Sequence, residues 1–307
     1  MNRKLNQRRI LTYLGFSFGL SWLVALVIYL RGGLVNSPVI TTIAGTNITE
    51  ALVLIASIYM FSPAISHVLT RLVTREGWRD TWLRPNFRAG KRFWLIAWLG
   101  TAGLILLSAA LYFALFPQHF DPELNAVLDL LASLEAQTGQ AIPLTPIMFI
   151  VVQIIQAIVL APILNLVPIF GEEFGWRAYL QPKLMVLGWR KAMIWMGIIW
   201  GLWHLPLIMM GHNYGLDYPG APWLGPIVFT WFTFVAGIFL GWVTIQGKSV
   251  WPAVIGHAII NGLAAGVTLL IQGTPNPLIG PSVAGLLVGS DLPYPVCGCC
   301  FARPPRA

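Results

Sequence analysis

Residues 10–30 read ILTYLGFSFGLSWLVALVIYL, an apolar run without one charged side chain. About 20 apolar residues wound into an α-helix cover the roughly 30 Å hydrocarbon core of a bilayer. The run is too long for a signal-peptide core and lacks a convincing small-residue cleavage site, so it reads as a retained first span. The same signature recurs at 50–70, 93–116, 146–170, 192–210, 224–245 and 250–271, with a shorter, Gly- and Pro-interrupted eighth stretch at 276–289. Composition agrees. Of 307 residues, 57% are hydrophobic and 10% charged, where a soluble domain carries about 25% charged, and the mean hydropathy is +0.73. These values exclude a soluble globular enzyme, a disordered chain and a disulfide-stapled secreted domain. The expected fold is all-α: a polytopic membrane helix bundle of about eight transmembrane helices, multi-pass in a cell membrane. Short loops and a compact basic N-terminus suit a bacterial plasma membrane.

The net charge of +8 would suggest nucleic acid in a soluble chain. Here the basic residues sit in short loops between apolar blocks, where they report orientation and contact with anionic membrane lipid, and no nucleic-acid partner is expected. With the spans alternating, every one of the 19 Lys and Arg residues except Arg31 falls on one side, while Asp121, Glu123, Asp129, Glu135 and Asp217 fall on the other. The positive-inside rule then places both termini and the loop 71–92 in the cytoplasm. Residues 121–140 are acidic with a helical apolar rhythm (Leu124, Val127, Leu128, Leu131, Leu134), which suits an amphipathic helix at the interface. No internal repeat stands out, so residues 1–290 form a single transmembrane domain with a motif core at about 160–270, and 291–307 a C-terminal cytoplasmic tail. That tail holds Cys297, Cys299 and Cys300, whose spacing is not a strong zinc signature.

Ionisable groups inside a bilayer are costly and face the bundle interior or a wet cavity. Three places carry them: Glu172 and Glu173 with Arg177 at the end of span four, Trp200 and His204 in span five, and His257 and Asn261 in span seven. Adjacent helical residues point about 100° apart, so the two acids cannot share one partner equally. Glu173 and Arg177 stand i, i+4 with the acid first, the favourable order for an ion pair. Glu172 is left without a local cation, which suits a general base, with Glu173–Arg177 as its brace. His257 and Asn261 share a helix face and can donate two hydrogen bonds to one oxygen, as an oxyanion hole requires. Taken singly, each has a plain structural use: a charge cluster with Lys183, a packing histidine, an interhelical polar clamp. Together they describe a water-activating centre buried in lipid.

The ordered series Glu-Glu-x-x-x-Arg, aromatic-x-x-x-His and His-x-x-x-Asn resembles the CPBP family of intramembrane proteases, the type II CAAX prenyl endopeptidases and their bacterial relatives linked to bacteriocin processing and self-immunity. The matching positions are Glu172, Glu173 and Arg177, then Trp200 and His204, then His257 and Asn261; Trp200 departs from the more frequent Phe. The Ser62-Pro63-Ala64 stretch and the basic run from Arg71 extend the likeness towards the N-terminus. The resemblance implies an intramembrane endopeptidase acting on a peptide or lipid-modified protein substrate, with the prenylated CAAX type as one candidate. In it Glu172 and His204 activate water, and His257 and Asn261 stabilise the oxyanion. Both glutamate-type and metalloprotease catalysis have been described for such proteins. Glu172, His204 and His257 would be the ligands of a Zn²⁺, whereas the absence of a His-Glu-x-x-His helix favours a metal-free route.

Two other classes compete. A non-catalytic membrane scaffold or immunity factor of the same family would use the polar set for partner binding or folding. A secondary transporter would show repeat symmetry, which is absent. With straight spans, Glu172 lies near the cytoplasmic rim and His204 about 18 Å into span five, so bending at Pro162, Pro168 and Pro206 is expected to bring them together around a conical cavity open to the cytoplasm. His67 reads as interfacial, His119 and His212 as outer-loop residues. Gln153, Gln156 and Asn165 read as cavity-lining residues or interhelical hydrogen bonders.

Overall fold

Helix boundaries follow local chemistry. The structure, a computed structural model, describes residues 3–43, 46–79, 81–264 and 266–287. Helix α1 (Arg3–Leu30) is followed by a small antiparallel hairpin, β1 (Val39–Ile43) and β2 (Thr46–Thr49), which the sequence pattern did not announce. Thr49 caps α2 (Glu50–Val73), its hydroxyl accepting from the Leu52 N–H at 3.2 Å. Helix α3 (Gly90–Leu115) leads to a loop in which the Asp121 carboxylate accepts from the N–H groups of Glu123 and Asn125. These bonds start α4 (Asn125–Thr138), the expected amphipathic helix, which ends at Gly139 in the left-handed region (φ 65°). It buries Val127 and Leu131.

The fourth crossing departs from the sequence reading of one helix over 146–170. Thr145 caps α5 (Pro146–Val159), which buries none of its residues. Proline lacks the N–H that a continuing helix needs, and around Pro162 the chain makes only a four-residue turn, Ala161–Leu164. It restarts as α6 (Leu166–Gly175), continues through the π-turn Trp176–Leu180, and closes with Gln181–Leu184. The crossing is therefore broken, and its buried part is displaced towards the C-terminus: Gly171 to Leu180 are all buried.

Helix α7 (Trp189–Met209) runs through Pro206 and packs antiparallel on α8 (Leu224–Gly247). Small residues allow the close approach, as in membrane bundles generally: Gly197 and Gly201 face Phe234, Thr230 and Thr233, and the Thr233 hydroxyl donates to the Gly197 carbonyl at 3.0 Å. Helix α9 (Trp251–Ala264) inserts between α3, α6 and α8. Among the described residues, six helices are long and apolar enough to cross a membrane. The all-α polytopic fold holds.

The eighth candidate span does not form among the described residues. Residues 276–285 are turns and bends that fold back on themselves, with the Leu286 N–H donating to the Leu278 carbonyl, and Tyr214 donates to the Ala284 carbonyl at 2.6 Å. Gly and Pro in this stretch remove helix propensity, and the segment caps the loop between α7 and α8 instead of crossing. Residues 291–307, with the three cysteines and the expected tail, lie outside the described residues.

The Cβ of a Gly201→Ala variant would stand 2.6 Å from the Thr230 hydroxyl and 2.7 Å from its Cα. Overpacking of this kind costs about 1–3 kcal/mol, so thermal unfolding in detergent is expected at a lower midpoint. Gly103→Ala, with nothing within 4 Å, should leave the midpoint unchanged or raise it.

Candidate active site

Two carboxylates at the end of α6 point different ways, as one helical step requires. Glu173 is fully buried. One of its oxygens stands 3.2 Å from the Arg177 Nε and the other 2.9 Å from the His257 Nδ1. The Glu173–Arg177 brace expected from the i, i+4 spacing is thus in place, and it also reaches α9. The Arg177 guanidinium lies over the Trp200 ring, 5.0 Å from its centroid. Glu172 turns to the other side, is 3% exposed and makes no ion pair among the described residues. Its Oε2 accepts from the indole N–H of Trp200 at 3.1 Å.

Glu172, His204, His257 and Asn261 line one cavity of about 290 Å³, room for several waters at roughly 30 Å³ each. His204 is half-buried, and its Nδ1 sits 2.9 Å from the Trp200 carbonyl. A carbonyl only accepts, so Nδ1 carries the proton and Nε2 is the lone-pair nitrogen of the neutral ring. The same reasoning protonates Nδ1 of His257 against the Glu173 carboxylate. On α9, His257, Ile260, Asn261 and Ala264 form the cavity face. Asn261 is exposed within it.

Sequence reasoning missed several features. The Trp200 indole donates to Glu172, which the more frequent Phe at that position has no group to do; the departure from the family pattern was the available signal. His67, read as interfacial, is fully buried, with Nδ1 2.9 Å from the Phe174 carbonyl and Nε2 accepting from Arg71 Nε at 2.6 Å. His212, from the loop after α7, joins the cavity lining. Gln153, Gln156 and Asn165 instead line a separate cavity of about 470 Å³ with Gly262 and Leu263 on the far face of α9. Glu76, unremarked in sequence, joins Arg9 (3.2 Å), Arg71 (3.9 Å) and Lys183, and accepts from the Tyr179 hydroxyl at 3.0 Å.

Beneath Glu172, on the side of the basic loops, Glu173, Trp176, Arg177 and Gln181 form a fully buried layer. The exposed lining residues, Asn213 and Asn261, stand on the opposite side. Among the described residues no three His, Cys, Asp or Glu side chains converge as a metal-ligand set. The set Glu172, His204 and His257, as arranged, does not fit a zinc ion.

With this geometry in view, comparison with known proteins is specific. Residues 149–263 match the family model "Type II CAAX prenyl endopeptidase Rce1-like". The likeness to that family is to this segment of the chain. It holds the three ordered motifs, from Glu172 to Asn261. The chain is also 35% identical over 96 residues to CAAX prenyl protease 2 of Methanococcus maripaludis, an alignment covering 29% of this chain and 34% of that protein. The chain thus spans about a third of the length of the curated relative it matches.

Removing one partner of a buried ion pair costs about 3–5 kcal/mol because the other charge is left uncompensated. The Arg177→Met protein should therefore unfold at a markedly lower temperature in detergent. Combining it with Glu173→Gln should recover part of the loss, measured by the same thermal scan.

Proposed function

We propose that this chain is an intramembrane endopeptidase that hydrolyses a peptide bond of a membrane-associated substrate. The observation that carries the reading is the shared cavity in which a buried glutamate, with no ion-pair partner among the described residues, meets His204, His257 and Asn261. The name of the archaeal relative supports a prenylated, CAAX-type peptide as the substrate class.

The chemistry follows from the hydrogen bonds. Trp200 occupies Oε2 of Glu172, leaving Oε1 to accept from a water. The lone-pair Nε2 of His204 accepts a hydrogen bond from the water's other O–H and fixes its orientation. As the water oxygen attacks the peptide carbonyl, Glu172 takes its proton and passes it to the amide nitrogen when the C–N bond breaks, giving a new carboxyl terminus and a new amine. Asn261 donates its amide N–H to the oxyanion. His257 also donates from Nε2 when its ring is protonated, with Glu173 as counter-ion to the imidazolium. On this reading Glu173 and Arg177 touch no substrate; they hold His257 and the end of α6 in place.

Glu172→Gln and His204→Ala should each abolish cleavage of a prenylated peptide by purified protein while leaving its thermal unfolding unchanged. Retained turnover contradicts the proposal. If the Glu172→Gln protein still confers a cellular phenotype as strongly as the wild type, the non-catalytic scaffold is favoured instead. Loss of one oxyanion donor costs about 10²–10³ in kcat, so Asn261→Ala should show that reduction with a little-changed KM in steady-state assays.

A further inference from the structure

Helix α2 lies outside the segment that matches the family model, yet it is bonded to both helices that carry Glu172 and His204. On the α7 side, the Tyr59 hydroxyl donates to the Trp203 carbonyl, and the Trp203 indole N–H donates to the Ser62 hydroxyl at 3.3 Å. Trp203 is the residue before His204. On the α6 side, Gly175 meets Pro63 so closely that an added Cβ would stand 2.5 Å from the Pro63 carbonyl oxygen. A turn further along α2, the His67 Nδ1 lies 2.9 Å from the carbonyl of Phe174, the residue after Glu173.

A carbonyl only accepts, so Nδ1 of His67 bears the proton. The Arg71 Nε donates to Nε2 at 2.6 Å, so Nε2 holds the lone pair. The guanidinium thereby selects the one neutral tautomer that can donate to Phe174. Arg71 is itself placed by Glu76 at 3.9 Å, by the Gly77 carbonyl, and by the Trp78 and Tyr179 rings, each 5.3 Å from centroid to guanidinium carbon. The imidazole is clamped between the Phe174 ring, 4.2 Å away between centroids, and the Tyr179 ring at 4.5 Å. Both His67 and Arg71 are buried. The accepting carbonyl stands where α6 passes into the π-turn Trp176–Leu180 and the ladder changes from i→i+4 to i→i+5. A side-chain donor at such a junction fixes the path of the backbone. Glu172 and Glu173 are the two residues immediately before it, so a rotation there would carry Glu172 away from Trp200 and Glu173 away from His257 together.

Resting on the endopeptidase reading, we infer that His67 and Arg71 are positioning residues for peptide hydrolysis. The chain from Arg71 through His67 to the Phe174 carbonyl fixes the end of α6 and with it the direction of the Glu172 carboxylate. Neither side chain lines the cavity, and neither touches substrate.

The test compares three substitutions of His67 in the full-length protein purified in detergent. In His67→Asn an amide N–H replaces Nδ1 and can still donate to Phe174. In His67→Gln the amide replaces Nε2 and serves Arg71 alone, and His67→Leu serves neither. All three lose the ring, so their thermal midpoints should fall alike. Turnover of a prenylated peptide, per folded molecule, should separate them. Misplacing a reacting group by about 1 Å costs on the order of 10²-fold. The kcat of His67→Leu and His67→Gln should fall by about that factor with KM little changed, whereas His67→Asn keeps most of it. Arg71→Met leaves Glu76 paired with Arg9 and Lys183; it should lower kcat in the same direction, and it carries the test if His67→Leu does not fold. Equal kcat in His67→Asn and His67→Gln, or wild-type kcat in His67→Leu or Arg71→Met, overturns the inference while leaving the peptidase reading intact. A wild-type protein that cleaves no peptide instead removes the peptidase reading, and the positioning role with it.

Discussion

A carboxylate with no exposure, held between an arginine of its own helix and a histidine of another, is the constraint on which the rest of this protein depends. Burying ions away from water is expensive unless each charge is met. Glu173 is met on both sides, by Arg177 and by His257. That contact ties the end of α6 to α9 and fixes the rotation of α6. With Glu173 committed, the next residue back must face about 100° away, into the space where α7 supplies Trp200 and His204. One ionic brace thereby determines where the second, cation-free glutamate stands.

The surroundings serve the same geometry. Small residues let α7 lie close against α8, and the π-turn after Gly175 carries Arg177 inward among wholly buried neighbours. Such turns are frequent at functional sites because they widen a helix locally. The fully buried layer of Trp176, Arg177 and Gln181 packs against the cavity on the side of the basic loops.

Most of the fold was legible because a membrane span has a length and composition requirement that few other structures satisfy. The polar residues that line the cavity were legible as costly groups within apolar runs, and the ion pair from its i, i+4 spacing. What could not be read came from tertiary contacts. The break at Pro162 was anticipated only as a bend, because the sequence does not say whether freed backbone groups find partners in place. The 276–287 segment had enough apolar residues to suggest a crossing, yet its Gly and Pro turns pack on Tyr214. His67 looked interfacial because nothing local reveals that Phe174, over 100 residues away, offers it a carbonyl. The close packing on one side of Glu172 is a tertiary property that its neighbours in sequence do not reveal.

The chemical role of Glu172 is tested most directly by single-turnover hydrolysis in ¹⁸O-enriched water, followed by mass analysis of the product and of the peptide that carries residue 172. If the carboxylate activates water, the label appears in the new carboxyl terminus of the product, and Glu172 remains unlabelled. Label found in the Glu172 carboxyl group would mean that this side chain attacks the substrate itself, contradicting the role assigned to it.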